Sequence, residues 1–172
     1  QERAVDATVE DRVKESVVER VNNPPPNPNL GMDYFNRARG YYKAGEWQLA
    51  IDDLTSAIEL GLSTDKTLVS AYHSRGRAYR NLGQYQTALN DATKAINIGG
   101  SSVALSYSNR GDAYYALEQY QDAINNYTKA IQLDPDFAVA YKWRGISYRQ
   151  LGQSTLADAD KARACSLDSE YC

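Results

Sequence analysis

Apolar and small residues recur at helical spacing along residues 107–135, where Tyr107, Gly111, Tyr114, Ala123, Tyr127, Ala130 and Pro135 mark two short helices joined by a turn around Glu118. Asp134-Pro135 closes the unit, because proline lacks the amide donor that would continue a helix. Imperfect copies begin at Tyr34, Tyr72 and Tyr141, so that successive tyrosines lie 38, 35 and 34 residues apart. The extra residues fall in the connections, at Gly61 to Lys66 and at Gly99 to Ser102. There glycine ends one helix, and Thr64, Asp65 or Ser102 is placed to cap the next. A unit of this length cannot bury its apolar face alone, so the pattern predicts four stacked helix pairs over residues 32–168.

Ahead of the repeats, Val5, Val9, Val13, Val17 and Val21 stand four apart among charged residues, which predicts an amphipathic helix over residues 1–22. Valine is a mediocre helix former, so this acidic segment needs a surface to lie on: its own repeats, a second subunit or another protein. A solvated arm is the alternative. Residues 23–31 are rich in proline and asparagine and predict an extended linker. Residues 169–172 are left as a short tail.

Composition narrows the picture. Fourteen tyrosines and abundant alanine suit closely packed helices whose gaps are filled by rings. A net charge of -3 argues against general attraction to nucleic acid or anionic lipid. No apolar run approaches the roughly 20 residues that cross a bilayer, so no membrane insertion is expected. His73 is the sole histidine, and neither a nucleophile beside a base nor a phosphate loop appears. The sequence therefore predicts no enzyme activity, no cofactor and no metal. Cys165 and Cys172 form an even pair that an oxidising compartment would join, with two free thiols in a cytoplasm as the other reading. A first residue that is Gln1 rather than Met, together with this pair, leans towards an exported protein, periplasmic or secreted, with a cytoplasmic one as the alternative.

The set Tyr107, Gly111, Tyr114, Ala123, Tyr127 and Pro135 resembles the tetratricopeptide repeat, and the resemblance covers residues 32–168. Departures are Ala38 in place of glycine, Leu54 and Ala92 in place of an aromatic, and loss of the closing proline in the first, second and fourth copies. The resemblance implies an all-α fold, a right-handed superhelical solenoid of antiparallel helix pairs, here with an additional N-terminal amphipathic helix. In the last copy Ser154, Asp158 and Cys165 stand at positions that are apolar elsewhere, as expected of a terminal repeat with nothing stacked on it.

Two columns bear on function. Arg37, Arg75, Arg110 and Arg144 recur in register, and either form a ladder for a ligand or pack their stems between helices and pair with Asp53, Asp91 and Asp160. The recurrence of the aspartates favours pairing. The family's binding groove, carried over position by position, includes Arg39, Tyr42, Lys43, His73, Arg77, Arg80, Asn81, Asp112, Tyr115, Lys142 and Arg149. Six basic side chains against one acidic give the groove +5 within a chain of -3, leaving -8 elsewhere. The resemblance thus implies a protein-interaction scaffold whose basic concave groove takes an acidic peptide or helix. Asp112 would be the electrostatic break between two basic ends. Phe35 and Ser74 stand where the family's chaperone-binding members use Lys and Asn, so that ligand is not expected. The alternative is an assembly subunit, a homo-oligomer joined through residues 2–21; single-stranded nucleic acid is disfavoured by the acidic chain and the scarcity of stacking rings.

Overall fold

A computed structural model describes residues 30–172; the helix expected over residues 1–22 and the linker as far as residue 29 lie outside the described residues. Eight α-helices follow one another: α1 Leu30–Ala44, α2 Trp47–Leu60, α3 Asp65–Asn81, α4 Tyr85–Ile98, α5 Val103–Ala116, α6 Tyr120–Leu133, α7 Ala138–Gln150 and α8 Ser154–Leu167, then a 3-10 turn at Ser169–Tyr171. No strand occurs among the described residues, and no helix among them is long and apolar enough to cross a membrane. α1 begins at Leu30 rather than at Met32. Gly31 then packs on the end of α2, where a Cβ would stand 2.5 Å from the Gly61 carbonyl oxygen.

Connections of two or three residues turn the chain back within each pair. Glu46, Gln84, Gln119 and Gln153 donate to the carbonyls of Tyr41, Tyr79, Tyr114 and Tyr148 at 2.8–3.0 Å, the same helix-ending bond four times over. That geometry needs a left-handed residue, supplied by Gly45, Gly83 and Gly152 at φ 72–79° and, in the third repeat, by Glu118 at φ 60°. Between repeats, Thr64 caps α3 by accepting from the Thr67 amide, whereas Ser102 makes no side-chain cap to α5.

The pairs stack because second helices also pack on the next repeat, α2 on α3, α4 on α5 and α6 on α7. Within each pair, small residues let the two helices approach closely. Cβ atoms added at Gly76 and Gly145 would meet the Ala88 and Ala157 carbonyl oxygens at 3.4 and 3.0 Å, while one at Gly111 would strike the Tyr127 ring at 2.8 Å.

The arginine column is structural. Arg37, Arg75 and Arg144 each grip the aspartate sixteen residues on, Asp53, Asp91 and Asp160, through two bonds of 2.6–2.8 Å. Arg110 makes one bond to Asn126 at the same spacing. Arg75 and Arg144 also donate to Thr55 and Thr128 of the preceding repeat, tying neighbours together. Each guanidinium lies 5.0–5.5 Å from the ring of the tyrosine three residues earlier: Tyr34, Tyr72, Tyr107 and Tyr141.

Two variants test this account. Asp91→Ala leaves Arg75 buried without its partner and is expected to cost about 3 kcal/mol. Asp91→Asn, which restores the arrangement of the third repeat, should cost clearly less in the same urea titration. A D91A midpoint indistinguishable from wild type would refute the assignment. Glu118→Gly removes a side chain from a left-handed position and should raise stability by about 0.5–1 kcal/mol; a lowered midpoint would show that the glutamate compensates its own strain.

Candidate functional site

The expected groove residues separate into three groups according to what the next repeat does to them. Arg39 and Lys43 on α1, Arg77 and Asn81 on α3, and Arg149 on α7 are exposed. Arg39 and Lys43 are one turn and one residue from Tyr42 on the same helix. Tyr42 stands edge-on to Trp47 with centroids 5.0 Å apart, and the Arg77 guanidinium lies 5.4 Å from the Tyr42 ring. The first two repeats therefore present Arg77 against one supported aromatic ring, with Arg39 and Lys43 exposed on the helix that carries the ring. The sequence anticipated these residues but not the ring contacts.

His73 does not face a groove. α5 covers it, leaving it 9% exposed, and its Nε2 lies 2.7 Å from Ser106 Oγ. Burial, helped by the Arg77 charge, pushes its pKa down to about 4, so the ring is neutral at neutral pH. Asp112 is likewise not an open break in the groove. It accepts from Arg80 of the preceding repeat and, at 2.8 Å, from the Tyr127 hydroxyl of its own. Burial pushes the Asp112 carboxyl above its ordinary range, opposed by the Arg80 charge and the Tyr127 bond; burial and Asp112 together raise the Tyr127 phenol. Arg80 is thus committed to holding repeats two and three together. Tyr115 is packed between Tyr120 and Trp143, at centroid distances of 5.4 and 5.5 Å.

Lys142 and Arg149 belong to a different arrangement in the last repeat. Lys142 Nζ lies 4.7 Å from the Tyr171 ring, and Arg149 pairs with the exposed Asp158 at 2.9 Å. Tyr171 is brought there by the tail, which the Cys165–Cys172 disulfide ties to α8. With both cysteines joined, the described chain has no free thiol.

Asn109 was missed from sequence. Its Nδ2 is the one buried side-chain nitrogen or oxygen among the described residues without a hydrogen-bond partner, and Asn109 lines a small cleft shared with Arg77 and Arg80. The cleft exists because Ala92 stands where the third repeat has Tyr127, a substitution visible in the register but not its consequence. No cluster of potential metal ligands occurs among the described residues.

Residues 69–98 match the model of the tetratricopeptide repeat, and residues 111–152 match a second model of the same repeat. The chain is a tetratricopeptide-repeat protein. Solved structures agree on the fold, an all-α repeat superhelix. MamA is 23% identical with a TM-score of 0.72, over 92% of this chain and 86% of that one. MamA from Desulfovibrio magneticus RS-1 is 19% identical with a TM-score of 0.71, over 83% and 78%. The second tetratricopeptide domain of Spaghetti (RPAP3), bound to the HSP90 peptide SRMEEVD, is 29% identical with a TM-score of 0.55, over 58% of this chain and 92% of that domain. No curated protein matches the sequence.

The buried histidine gives a pH signature of the repeat interface. The unfolded ring takes up its proton near 6.5 and the folded ring only near 4. Acidification across that window favours the unfolded chain, and stability falls by up to about 3 kcal/mol as the pH drops from 6.5 to 4. A proton NMR titration should find the His73 resonances flat above pH 5, and His73→Gln should lose part of the acid sensitivity. A midpoint near 6.5 in the folded protein would place the ring in solvent instead.

Proposed function

We propose that this repeat protein is an interaction scaffold whose first two repeats bind an acidic peptide or helix of a partner. The observation that carries the reading is Arg77 resting on the Tyr42 ring, with Arg39 and Lys43 exposed on the helix that carries that ring. Among the described residues, Arg39 and Lys43 have no ionic partner, and Arg77 rests on a ring rather than on a carboxylate. Donors without acceptors select an anion, and an aromatic floor favours a ligand with apolar surface beside its charge.

Two neighbouring structures are tetratricopeptide domains of RPAP3 with an acidic HSP90 peptide bound, which supports the ligand class. The residues differ in detail, since Phe35 is a buried core residue here. An acidic segment recognised by other contacts is therefore the reading, not that peptide. The cations of the last repeat are outside this group, and Arg80 is excluded from it by its bond to Asp112.

Isothermal titration with acidic peptides, compared with basic peptides of the same length, tests the proposal. Binding should weaken about tenfold or more between low and high salt. The double variant Arg39→Glu/Arg77→Glu should lose it without changing the thermal midpoint. Charge reversal at Arg80 is a control of the opposite kind, expected to destabilise the fold by stranding Asp112. Equal affinity for basic peptides, or undiminished binding by the double variant, would overturn the reading.

A further inference from the structure

The last repeat contains a cavity of about 180 Å³ between α7, α8 and the tail. The repeat register identifies what is missing from it. Lys142, Gly145, Arg149 and Lys161 line it, in the columns of His73, Gly76, Arg80 and Ala92, which line the small cleft of the second repeat. There Asn109 of α5 borders the cleft and only about 10 Å³ remains. In the third repeat the same place is filled from within: the Tyr127 ring packs against Gly111, where a Cβ would strike it at 2.8 Å, and its hydroxyl bonds Asp112. The fourth repeat has neither an incoming helix nor that ring, since Lys161 stands at the position of Tyr127 and only the tail follows α8.

The space left is that of an aromatic ring. An apolar cavity of about 150 Å³ takes up benzene, and 180 Å³ adds room for one small substituent. Gly145 corresponds to the Gly111 on which the Tyr127 ring lies, and Ile146, Ala157 and Ala164 continue the apolar surface. The half-buried Tyr171 completes it, tied to α8 through the Cys165–Cys172 bridge. The rest of the lining is cationic, from Lys142, Arg149 and Lys161, and no carboxylate lines the cavity. Among the described residues Lys142 and Lys161 have no ionic partner; Lys142 lies instead 4.7 Å from the Tyr171 ring. Arg149 has only Asp158, a pair in which both side chains are more than 60% exposed and therefore weakly held.

We propose that this cavity is a small-molecule site for an aromatic carboxylate: a single benzene-sized ring lies on Gly145, as the Tyr127 ring lies on Gly111, and its carboxylate is held by Lys161, Lys142 and Arg149. The ligand restores from outside what the fourth repeat lacks, a ring in the cleft with an oxygen group at the cations. A ring packed beside Tyr171 gains an aromatic contact beyond the area it buries, and an anion next to unpartnered ammonium groups forms charge-assisted hydrogen bonds without displacing a protein carboxylate from the lysines. Lys161 is on a second helix and Tyr171 in the tail, so the site is a property of the array's end. The disulfide belongs to it, because it fixes the ring that shapes the cavity. The site goes beyond the peptide-binding reading of the first two repeats, shares no residue with it and does not rest on it.

The test is isothermal titration of the full chain with sodium benzoate, using benzyl alcohol as the ring without the charge, acetate as the charge without the ring, and cyclohexanecarboxylate as a thicker ring with the same charge. Benzoate should bind saturably, with benzyl alcohol and acetate weaker by about tenfold or more and cyclohexanecarboxylate weaker several-fold. Lys142→Gln and Lys161→Gln should each weaken benzoate several-fold. Lys161→Tyr puts back the ring of the third repeat and should abolish binding by occupying the cavity itself. Reduction of the disulfide should weaken binding by releasing Tyr171. Acetate as tight as benzoate would mean a surface anion only, and benzyl alcohol as tight as benzoate a cavity indifferent to charge. Either result overturns the proposal, as do equal affinity for cyclohexanecarboxylate, no saturable benzoate binding, or full affinity in the two glutamine variants. Those variants keep the test decisive if K161Y fails to fold.

Discussion

The bidentate pairing of an arginine on three of the four first helices with a carboxylate sixteen residues on is the constraint from which the rest of the array follows. Alanine and glycine contacts let the helices of a pair approach closely, but small faces slide over one another with little penalty. A guanidinium held by two carboxylate bonds does not slide: any other register leaves a buried charge without its partner, at a cost of several kcal/mol. The same guanidinium carries a tyrosine on its face and, in the second and fourth repeats, a threonine from the preceding repeat at its edge. One side chain thus sets the geometry within a repeat and between repeats. The third repeat keeps the position with Arg110 and Asn126, a neutral acceptor in place of the anion.

Once the stack is fixed in this way, each first helix covers part of the one before it, and this decides which polar side chains remain available. Phe35, His73 and Ser108 share a column and all are buried by the following repeat. Lys142, last in that column, is only half-buried, because a tail rather than a helix lies over it. Binding capacity in a repeat array is therefore a matter of which interfaces have been left incomplete. The interface of repeats two and three is closed by Arg80, Asp112 and Tyr127, and its charges cancel there. What remains basic is the exposed set on α1 and α3 and the cleft beside the tail.

The helices, their pairing and the arginine–aspartate column were legible in the sequence because each is a periodic property. Four arginines and three aspartates in the same register point to one another even without coordinates. The site was less legible because a column identifies a face and not the neighbour that covers it. Asp112 shares its column with the exposed Arg39 and Arg77, and the column of His73 ends in the half-buried Lys142; only the positions of Ser106 and Tyr127 on other helices show that His73 and Asp112 are enclosed. Asn109 and Ala92 line the same small cleft, and an unfilled space leaves no pattern. Tyr171 is recognisable as part of a cavity only once the disulfide has brought it back to Lys142. Glu118 illustrates the converse: the glycines of the other three turns announce a left-handed residue, and the register alone places Glu118 in it.

The third repeat, closest of the four to an ideal copy, is for that reason the least suited to binding. Its Tyr127 fills the cleft that Ala92 leaves open in the second repeat, and its Asp112 neutralises the arginine that would otherwise face a ligand. Interactions that perfect a repeat satisfy its polar groups from within, and a satisfied donor has nothing left to offer a partner. The departures from the pattern, Ala92 on one side and Lys161 with Tyr171 on the other, are where unsatisfied donors and unfilled space coincide. The proposed site therefore lies at an irregularity of the array, held in position by the regular pairs around it.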